Sequence, residues 1–286
     1  FYPGLFEQLA FPYTGSDAYV CTLTLDKQLT KMVLVDAGIP TPRWYFISDI
    51  KSWNPPRLRF PVIVKPNFES GSKGITQDSV IEHPGDLYDA VKRLIERYPA
   101  GILVEEFIEG RDVNVPYLEK ASPKTGGVLP AFEYEFGREA TAGRRYNIYD
   151  YMLNHFFYDQ VAVRSPADLT PEQTKELALF SRKIYETLGL RDFGRIDYRI
   201  TPDGRIYFIE VNALPSLEPG AGILASASQV GIKDLEGVLK QIIASAAARQ
   251  GIDPTKHKQR TKKPYRVGLT FNLKRKVPKR PDDDDS

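Results

Sequence analysis

The sequence predicts an α+β fold made of two small subdomains. Three observations point to it. A β-branched run, Phe60-Pro61-Val62-Ile63-Val64-Lys65-Pro66, is bounded by proline and reads as a strand. Two period-two runs, Phe193 to Ile200 and Arg205 to Asn212, are joined through Thr201-Pro202-Asp203-Gly204 and read as a hairpin. Helical punctuation surrounds these runs, clearest in Thr170-Pro171-Glu172-Gln173, a capping box with proline at the first helical position.

Taken in order, Leu25 to Ala37 carries Leu25, Leu29, Met32 and Val33 at helical spacing, with Gly38 and Pro40 as stop signals, and so predicts a helix with Lys27 near its start. A Pro-rich connector (Asn54, Pro55, Pro56) precedes the Phe60 to Pro66 strand, which Lys65 closes. The loop Asn67 to Gly74 follows, then a helix over Asp86 to Arg97 and a strand over Ile102 to Phe107 that ends in Ile108-Glu109-Gly110. In the second half the helix capped at Thr170 presents Leu177, Phe180, Ile184 and Leu188 as one stripe and stops at Gly189. A last helix from Asp234 towards Arg249 would bury Leu235, Val238, Leu239, Ile242 and Ile243. There is no short-period repeat.

At 286 residues, with 42% hydrophobic and 27% charged positions, the chain is long enough for two compact domains. No stretch approaches the roughly 20 apolar residues of a membrane span. Phe1 to Ala10 lacks the basic and apolar regions of a secretory signal. The single cysteine, Cys21, excludes an internal disulfide framework and fits a reducing compartment, so the expected location is the cytoplasm. A net charge of +2 does not argue for nucleic acid. The basic excess gathers between Lys256 and Arg280, ahead of the acidic Asp282 to Asp285, and reads as a solvated tail or as a nucleic-acid or lipid contact.

The hairpin concentrates charge. If Asp203-Gly204 is a two-residue turn, Pro202 faces Arg205, Arg199 faces Phe208, Asp197 faces Glu210 and Arg195 faces Asn212. One face then carries Arg195, Asp197, Glu210 and Asn212 together. Opposed carboxylates in a partly dehydrated cleft repel by up to a few kcal/mol, so a cation is expected to neutralise them. The oxygen-rich set Asp197, Glu210 and Asn212 suits magnesium, and the lack of neighbouring histidine or cysteine argues against zinc. The other reading is a solvated ladder in which Arg195 and Arg199 neutralise the acids diagonally.

An ordered series of motifs over residues 1 to 250 resembles the ATP-grasp enzymes, specifically the D-alanine:D-alanine ligases. It comprises Pro12-Tyr13-Thr14-Gly15-Ser16, Leu25-Asp26-Lys27, Pro61 to Pro66, Glu69 to Gly74, Leu103-Val104-Glu105-Glu106-Phe107, Gly194-Arg195-Ile196-Asp197 and Ile209-Glu210-Val211-Asn212-Ala213-Leu214-Pro215. The resemblance implies an ATP-grasp fold, with two α+β subdomains sandwiching ATP. Residues 1–24 would be a remnant of an N-terminal substrate domain, 25–113 the central subdomain and 114–254 the C-terminal subdomain with the metal site. Residues 255–286 would be a basic linker, with Tyr265 to Lys274 reading as the first strand of a further domain or as a strand that docks on this one.

The resemblance also implies roles. Lys27 and Lys65 would contact ATP phosphates, covered by the loop with Ser70, Gly71 and Ser72. Glu105, Glu106, Phe107 and Ile108 would form the hinge beside adenine, Asp112 would lie near the ribose and Ile209 would be the floor for the base. Magnesium would be held by Asp197, Glu210 and Asn212. Arg195 would be the catalytic cation in a two-step reaction: a carboxylate attacks the γ-phosphate to give an acyl phosphate, and an amine then displaces phosphate. The implied substrates are a small-molecule carboxylate and amine, amino acids or peptides. A homo-oligomer or a tandem neighbouring domain is compatible with the same resemblance.

This sequence departs from the family in the parts that touch substrate. The substrate loop reads Tyr149-Asp150-Tyr151-Met152-Leu153-Asn154-His155, with Asn154 in place of a phosphate-binding lysine and His155 beside it. Gly71 replaces a serine, Pro215-Ser216-Leu217-Glu218 replaces Pro-Gly-Met-Thr, and Ala221 aligns with a serine expected to hold a carboxylate. These changes imply altered recognition of the second substrate, with Glu218 favouring an amine. They also keep open a degenerate ATP-binding module acting in assembly, or a ligase for a different acid. Walker, G-x-G-x-x-G and G-x-S-x-G signatures are absent, and His83, His155 and His257 are scattered.

Overall fold

The computed structural model of the protein describes residues 2–137, 141, 143–155 and 160–253. The basic and acidic C-terminal stretch, with Tyr265 to Lys274, lies outside the described residues. Three helices open the chain: α1 (Tyr2–Gln8), α2 (Ala18–Leu25) and α3 (Lys27–Asp36). Asp17 caps α2 by accepting from the Val20 N–H at 2.8 Å, and Asp26 caps α3 through Leu29 N–H at 3.0 Å.

The smaller sheet contains β1 (Trp44–Ile47), β2 (Val62–Pro66), β3 (Val80–Ile81) and β4 (Ile102–Glu106), antiparallel throughout in the order β1-β4-β2-β3. Helix α4 (Pro84–Arg97) covers one face, where Val62, Val64, Ile102 and Val104 pack with Leu87 and Val91. Strand alternation sends the intervening residues, Ile63, Lys65 and Glu105, to the opposite face. Two neighbouring hydrophobic strands, β2 and β4, thereby deliver a lysine and a glutamate to one surface.

The larger sheet follows: β5 (Arg111–Leu118), β6 (Phe132–Phe136), the short α5 (Tyr151–His155), β7 (Val161–Arg164), α6 (Pro171–Leu188), β8 (Phe193–Ile200) and β9 (Ile206–Asn212). Its order is β7-β6-β5-β8-β9, again antiparallel. The Thr170/Gln173 capping box starts α6 and left-handed Gly189, at φ 73°, stops it. Leu177, Ile184 and Leu188 of α6 pack against Val113, Val115, Ile196, Tyr198 and Phe208, together with Val20, Leu23 and Leu34 from α2 and α3. Two last helices, α7 (Gly222–Ser228) and α8 (Leu235–Arg249), bury Ile223, Ala227, Val238 and Ile242 against Leu118 and Phe193.

Several sequence expectations change here. The β8–β9 turn is not a two-residue one. Gly204 N–H donates to Thr201 O at 2.9 Å and Thr201 N–H to Arg205 O at 3.0 Å, so Pro202, Asp203 and Gly204 form a three-residue loop. Proline suits the second position of a type I turn, and Gly204 at φ 87° supplies the left-handed residue that closes it. Arg199 therefore faces Tyr207 rather than Phe208. The ladder then breaks between Asp197 and Tyr198, where Ile209 is an extra residue on β9, a β-bulge. Beyond it Asp197 faces Glu210 and Arg195 faces Asn212, as expected, because the longer turn and the bulge offset one another.

The helix faces also differ. On α3 the buried residues are Lys27, Thr30, Lys31 and Leu34, whereas Leu29 and Met32 are exposed, as is Leu25 at the end of α2. Ion pairs to acids on β4 and β9 hold the polar side of α3 inward. On α8 the buried face is Val238, Ile242, Ser245 and Ala246, leaving Leu239 and Ile243 exposed. The inward face includes Ser245, whose Oγ donates to Glu119 Oε2 at 2.8 Å.

Candidate active site

A cavity of about 850 Å³ is lined by the inward face of the smaller sheet (Ile63, Lys65, Glu105) and by that of the larger one. From β5, β8 and β9 it receives Asp112, Asn114, Arg195, Asp197, Ile209, Glu210 and Asn212. The bulge explains one of these. Strict alternation would put Ile209 in the core with Val211, but the extra residue leaves Ile209 and Glu210 both half-buried on the cavity side.

Cross-strand pairing sets the charged cluster. Arg195 donates from Nε and a terminal guanidinium nitrogen to the two oxygens of Asp197 at 2.6 and 2.8 Å, and Asn212 Nδ2 donates to Asp197 Oδ2 at 3.1 Å. Glu210 Oε2 lies 3.6 Å from Lys27 Nζ. Asp197 and Glu210 keep 18% and 28% of their side chains exposed, so both can be reached from the cavity. Burial raises the Asp197 carboxyl above its ordinary value despite Arg195. At Glu210 burial acts the same way, but Lys27, Lys65 and Arg195 outweigh it and hold the carboxyl below its ordinary range.

The lysines are deeper. Lys27 is the first residue of α3, its ammonium donates to the Glu69 carbonyl, and burial lowers its pKa. Lys65 donates to Glu105 Oε1 at 2.8 Å, and Lys31 sits 2.6 Å from the other oxygen. Lys31, with no exposed surface, also donates to Thr41 Oγ1 at 2.6 Å, and Thr41 in turn donates to Phe208 O at 3.0 Å. Two ammonium groups thus share one carboxylate. Burial pushes Lys31 down to about 8, against the pull of Glu105.

The loop that carries Ser70, Gly71 and Ser72 lines the cavity, and Gly71 and Ser72 both take left-handed backbone, at φ 64° and 58°. Ser72 Oγ donates to the Tyr149 carbonyl at 2.7 Å, which ties this loop to the aromatic one. Tyr149 stacks on Tyr134 of β6 at 4.6 Å, and both line the cavity. Tyr151 heads α5 and its N–H donates to Ile75 O at 3.1 Å. The side chains of Asn154 and His155 lie outside the described residues. Ser216 lines the cavity together with Glu218.

On the hinge, Phe107 and Ile108 line the cavity, and Phe107 N–H donates to Pro61 O at 2.9 Å. The Glu106 side chain turns to Arg59, accepting from its N–H at 2.9 Å, so only the Glu106 backbone remains to face a ligand. Asp112 pairs with Arg199 Nε at 3.5 Å, and its carboxyl is raised by burial. Gly110 lets the hinge cross β8: a Cβ there would meet Ile200 O at 2.2 Å.

Lys31, Asn114 and Tyr134 have no motif in the sequence that singles them out. Lys31 stands four after Lys27 on the same helical face, a spacing visible in the sequence. Asn114 lies on β5, directly between Asp197 of β8 and Phe132 of β6, in a segment without a clear period-two signal.

The Asp197, Glu210 and Asn212 set fits a hard divalent cation, since its donors are oxygens that converge on the cavity. Among the described residues no group of three acidic, histidine or cysteine side chains gathers, so two carboxylates and one amide would leave the remaining positions to nucleotide and water.

Residues 33–244 match the family described as D-ala D-ala ligase C-terminus. D-alanine–D-alanine ligase of Aromatoleum aromaticum is 34% identical over 231 residues, 80% of this chain and 69% of the relative. The enzyme of the same name from Aquifex aeolicus is 33% identical over 242 residues, 84% of this chain and 75% of the relative. Among solved structures, D-alanine–D-alanine ligase from Bacillus anthracis in complex with ATP superposes with a TM-score of 0.70 at 21% identity, covering 87% of this chain and 75% of that one.

Proposed function

The chain belongs to the D-alanine–D-alanine ligase family, and we propose that it is an ATP-dependent ligase that joins the carboxylate of one small amino-acid substrate to the amine of another. The observation that carries this reading is the convergence, in one cavity, of Lys27 and Lys65 with the row Asp197 and Glu210 and with Arg195. Cations for a polyphosphate and carboxylates for its counter-ion occupy adjoining walls.

In this reading the triphosphate lies along Lys27 and Lys65 under the Ser70-Gly71-Ser72 loop, whose small residues allow close approach of backbone N–H groups. Adenine rests on Ile209 beside the backbone of Glu105 to Ile108, with Asp112 towards the ribose. The 25–113 and 114–254 segments are the two halves that enclose it. Asp197, Glu210 and Asn212 hold magnesium, which when bound supplies charge neutralisation of the phosphates. Arg195, now closed on Asp197, turns to the transferred phosphoryl group and then to the oxyanion formed when the amine attacks. Tyr149, Tyr151, Asn154, His155 and Ser216 border the substrates, which enter as carboxylate and amine. No protein nucleophile is needed: the substrate carboxylate attacks phosphorus, ADP leaves, and the amine displaces phosphate from the acyl phosphate with loss of a proton. Among the described residues no helix is long and apolar enough to cross a membrane, and a nucleotide-consuming enzyme of this kind is assigned to the cytoplasm.

The test is phosphate release from ATP and magnesium across a panel of D- and L-amino acids and dipeptides. Release that requires an added acid and amine is expected. Nucleotide binding without any amine-dependent turnover would refute the ligase reading in favour of a binding module.

A further inference from the structure

One buried polar group has no role in the fold. Asn114 is 3% exposed, lines the cavity, and its Nδ2 has no hydrogen-bond partner among the described residues. The register makes its surroundings specific. Glu210, Asp197 and Asn114 are direct cross-strand neighbours on β9, β8 and β5, so all three project from the same face of the sheet. Phe132 closes the row on the β6 side. Asp197, its cross-strand neighbour, accepts from Arg195 and Asn212 but makes no hydrogen bond to the Asn114 amide.

A buried donor left unpaired destabilises the fold that contains it, and an apolar residue of similar shape would avoid that loss. Val113 and Val115 flank it in the core, whereas Asn114 borders the cavity, so a partner that arrives with the reactants accounts for an asparagine at this point. The neighbouring cations and carboxylates indicate what arrives: an anionic oxygen.

We propose that Asn114 is a further binding residue of the reactant site, whose amide donates to an anionic oxygen of the bound reactants, phosphoryl or carboxylate. This rests on the ligase reading above and adds a residue to it. A donor of this kind acts where charge accumulates during phosphoryl transfer without itself exchanging a proton.

The discriminating variant is Asn114→Leu, which keeps the volume and removes the donor. The expected result is a fall in kcat/KM for amide formation of about tenfold to a hundredfold, with the urea midpoint unchanged or raised. Calorimetric titration with ADP and magnesium, and the KM for the acid substrate, separate the two sources. Weaker ADP binding identifies a phosphoryl oxygen, and a raised acid KM with unchanged ADP binding identifies a carboxylate. Asn114→Leu with turnover, ADP affinity and acid KM all within twofold of the parent overturns the proposal. So does a loss of activity that tracks a lowered urea midpoint and recovers on cooling. A parent chain that binds no nucleotide fails the ligase reading itself, a result distinct from either.

Discussion

The buried triad of Lys31, Glu105 and Lys65 makes a prediction that separates charge from packing. It carries two ammonium groups and one carboxylate, all shielded from solvent. Removing Lys31 leaves a neutral pair, whereas removing the charge of Glu105 leaves two buried cations facing each other. For Lys31, the drop from the ordinary 10.5 to about 8 corresponds to about 3 kcal/mol of net penalty at neutral pH, the cost of burial left after the pull of Glu105. The pull of Glu105 is already contained in that figure, so Lys31→Met relieves the penalty and forfeits in addition only the charge-assisted hydrogen bond to Thr41, about 1.5–3 kcal/mol. The net change is expected to stay within about 2 kcal/mol. Glu105→Gln strands both lysines and should cost about 3–5 kcal/mol. The pH dependence has a definite sign. Because the unfolded chain keeps the Lys31 proton up to about 10.5 and the folded chain releases it near 8, this group makes stability rise with pH across that window. Urea unfolding of the parent and both variants at pH 7, and of parent and Lys31→Met from pH 7.5 to 9.5, measures both effects. A Lys31→Met protein less stable than Glu105→Gln, or one with the parent's pH slope, would refute the reasoning.

Further outcomes follow from the same geometry. Asp197→Asn and Glu210→Gln should each lower ATP turnover by about a hundredfold or more while circular dichroism and the unfolding midpoint stay close to the parent, since both groups face the cavity. Deleting Ile209 removes the bulge but keeps Asp197 opposite Glu210, so the protein should fold and yet bind ADP about tenfold more weakly, read by calorimetry. Ser72→Ala breaks the 2.7 Å bond to Tyr149 O, and the KM for ATP should rise several-fold with faster limited proteolysis of the 69–74 loop. Gly110→Ala forces a Cβ onto Ile200 O and should cost about 2 kcal/mol or more in urea unfolding.

Much of this was legible in the sequence because local rules act on consecutive residues. The Thr170 capping box, the left-handed Gly189 stop and the alternation that turns Lys65 away from Val64 are decided within a few residues of themselves. The motif series, read in order, points to the family without reference to the fold. The encounter of Asp197 with Glu210 was anticipated through a turn one residue too short and a ladder without its bulge. Those departures offset one another, so the pairing emerged while Arg199 and Ile209 did not fit the simple register.

What the sequence by itself determined is therefore the strands β2, β4, β8 and β9, the helices α3, α4, α6 and α8, and the chemical character of the cleft, whereas β1, β5, β6 and β7 carry no comparable local signal. The buried stripe of α6 followed its periodicity, but only the tertiary structure decided which side of α3 and α8 is buried. Hydrophobic periodicity on α3 pointed Leu29 and Met32 inward, but the acids on β4 and β9 lie far away along the chain, and their attraction for Lys27 and Lys31 prevailed. The same holds for Asn114: nothing around it in sequence marks it, and its meaning comes from a strand more than 80 residues later that sets Asp197 beside it. Burial and ion pairing are properties of residues that meet in space, and the linear pattern records only those that are neighbours along the chain.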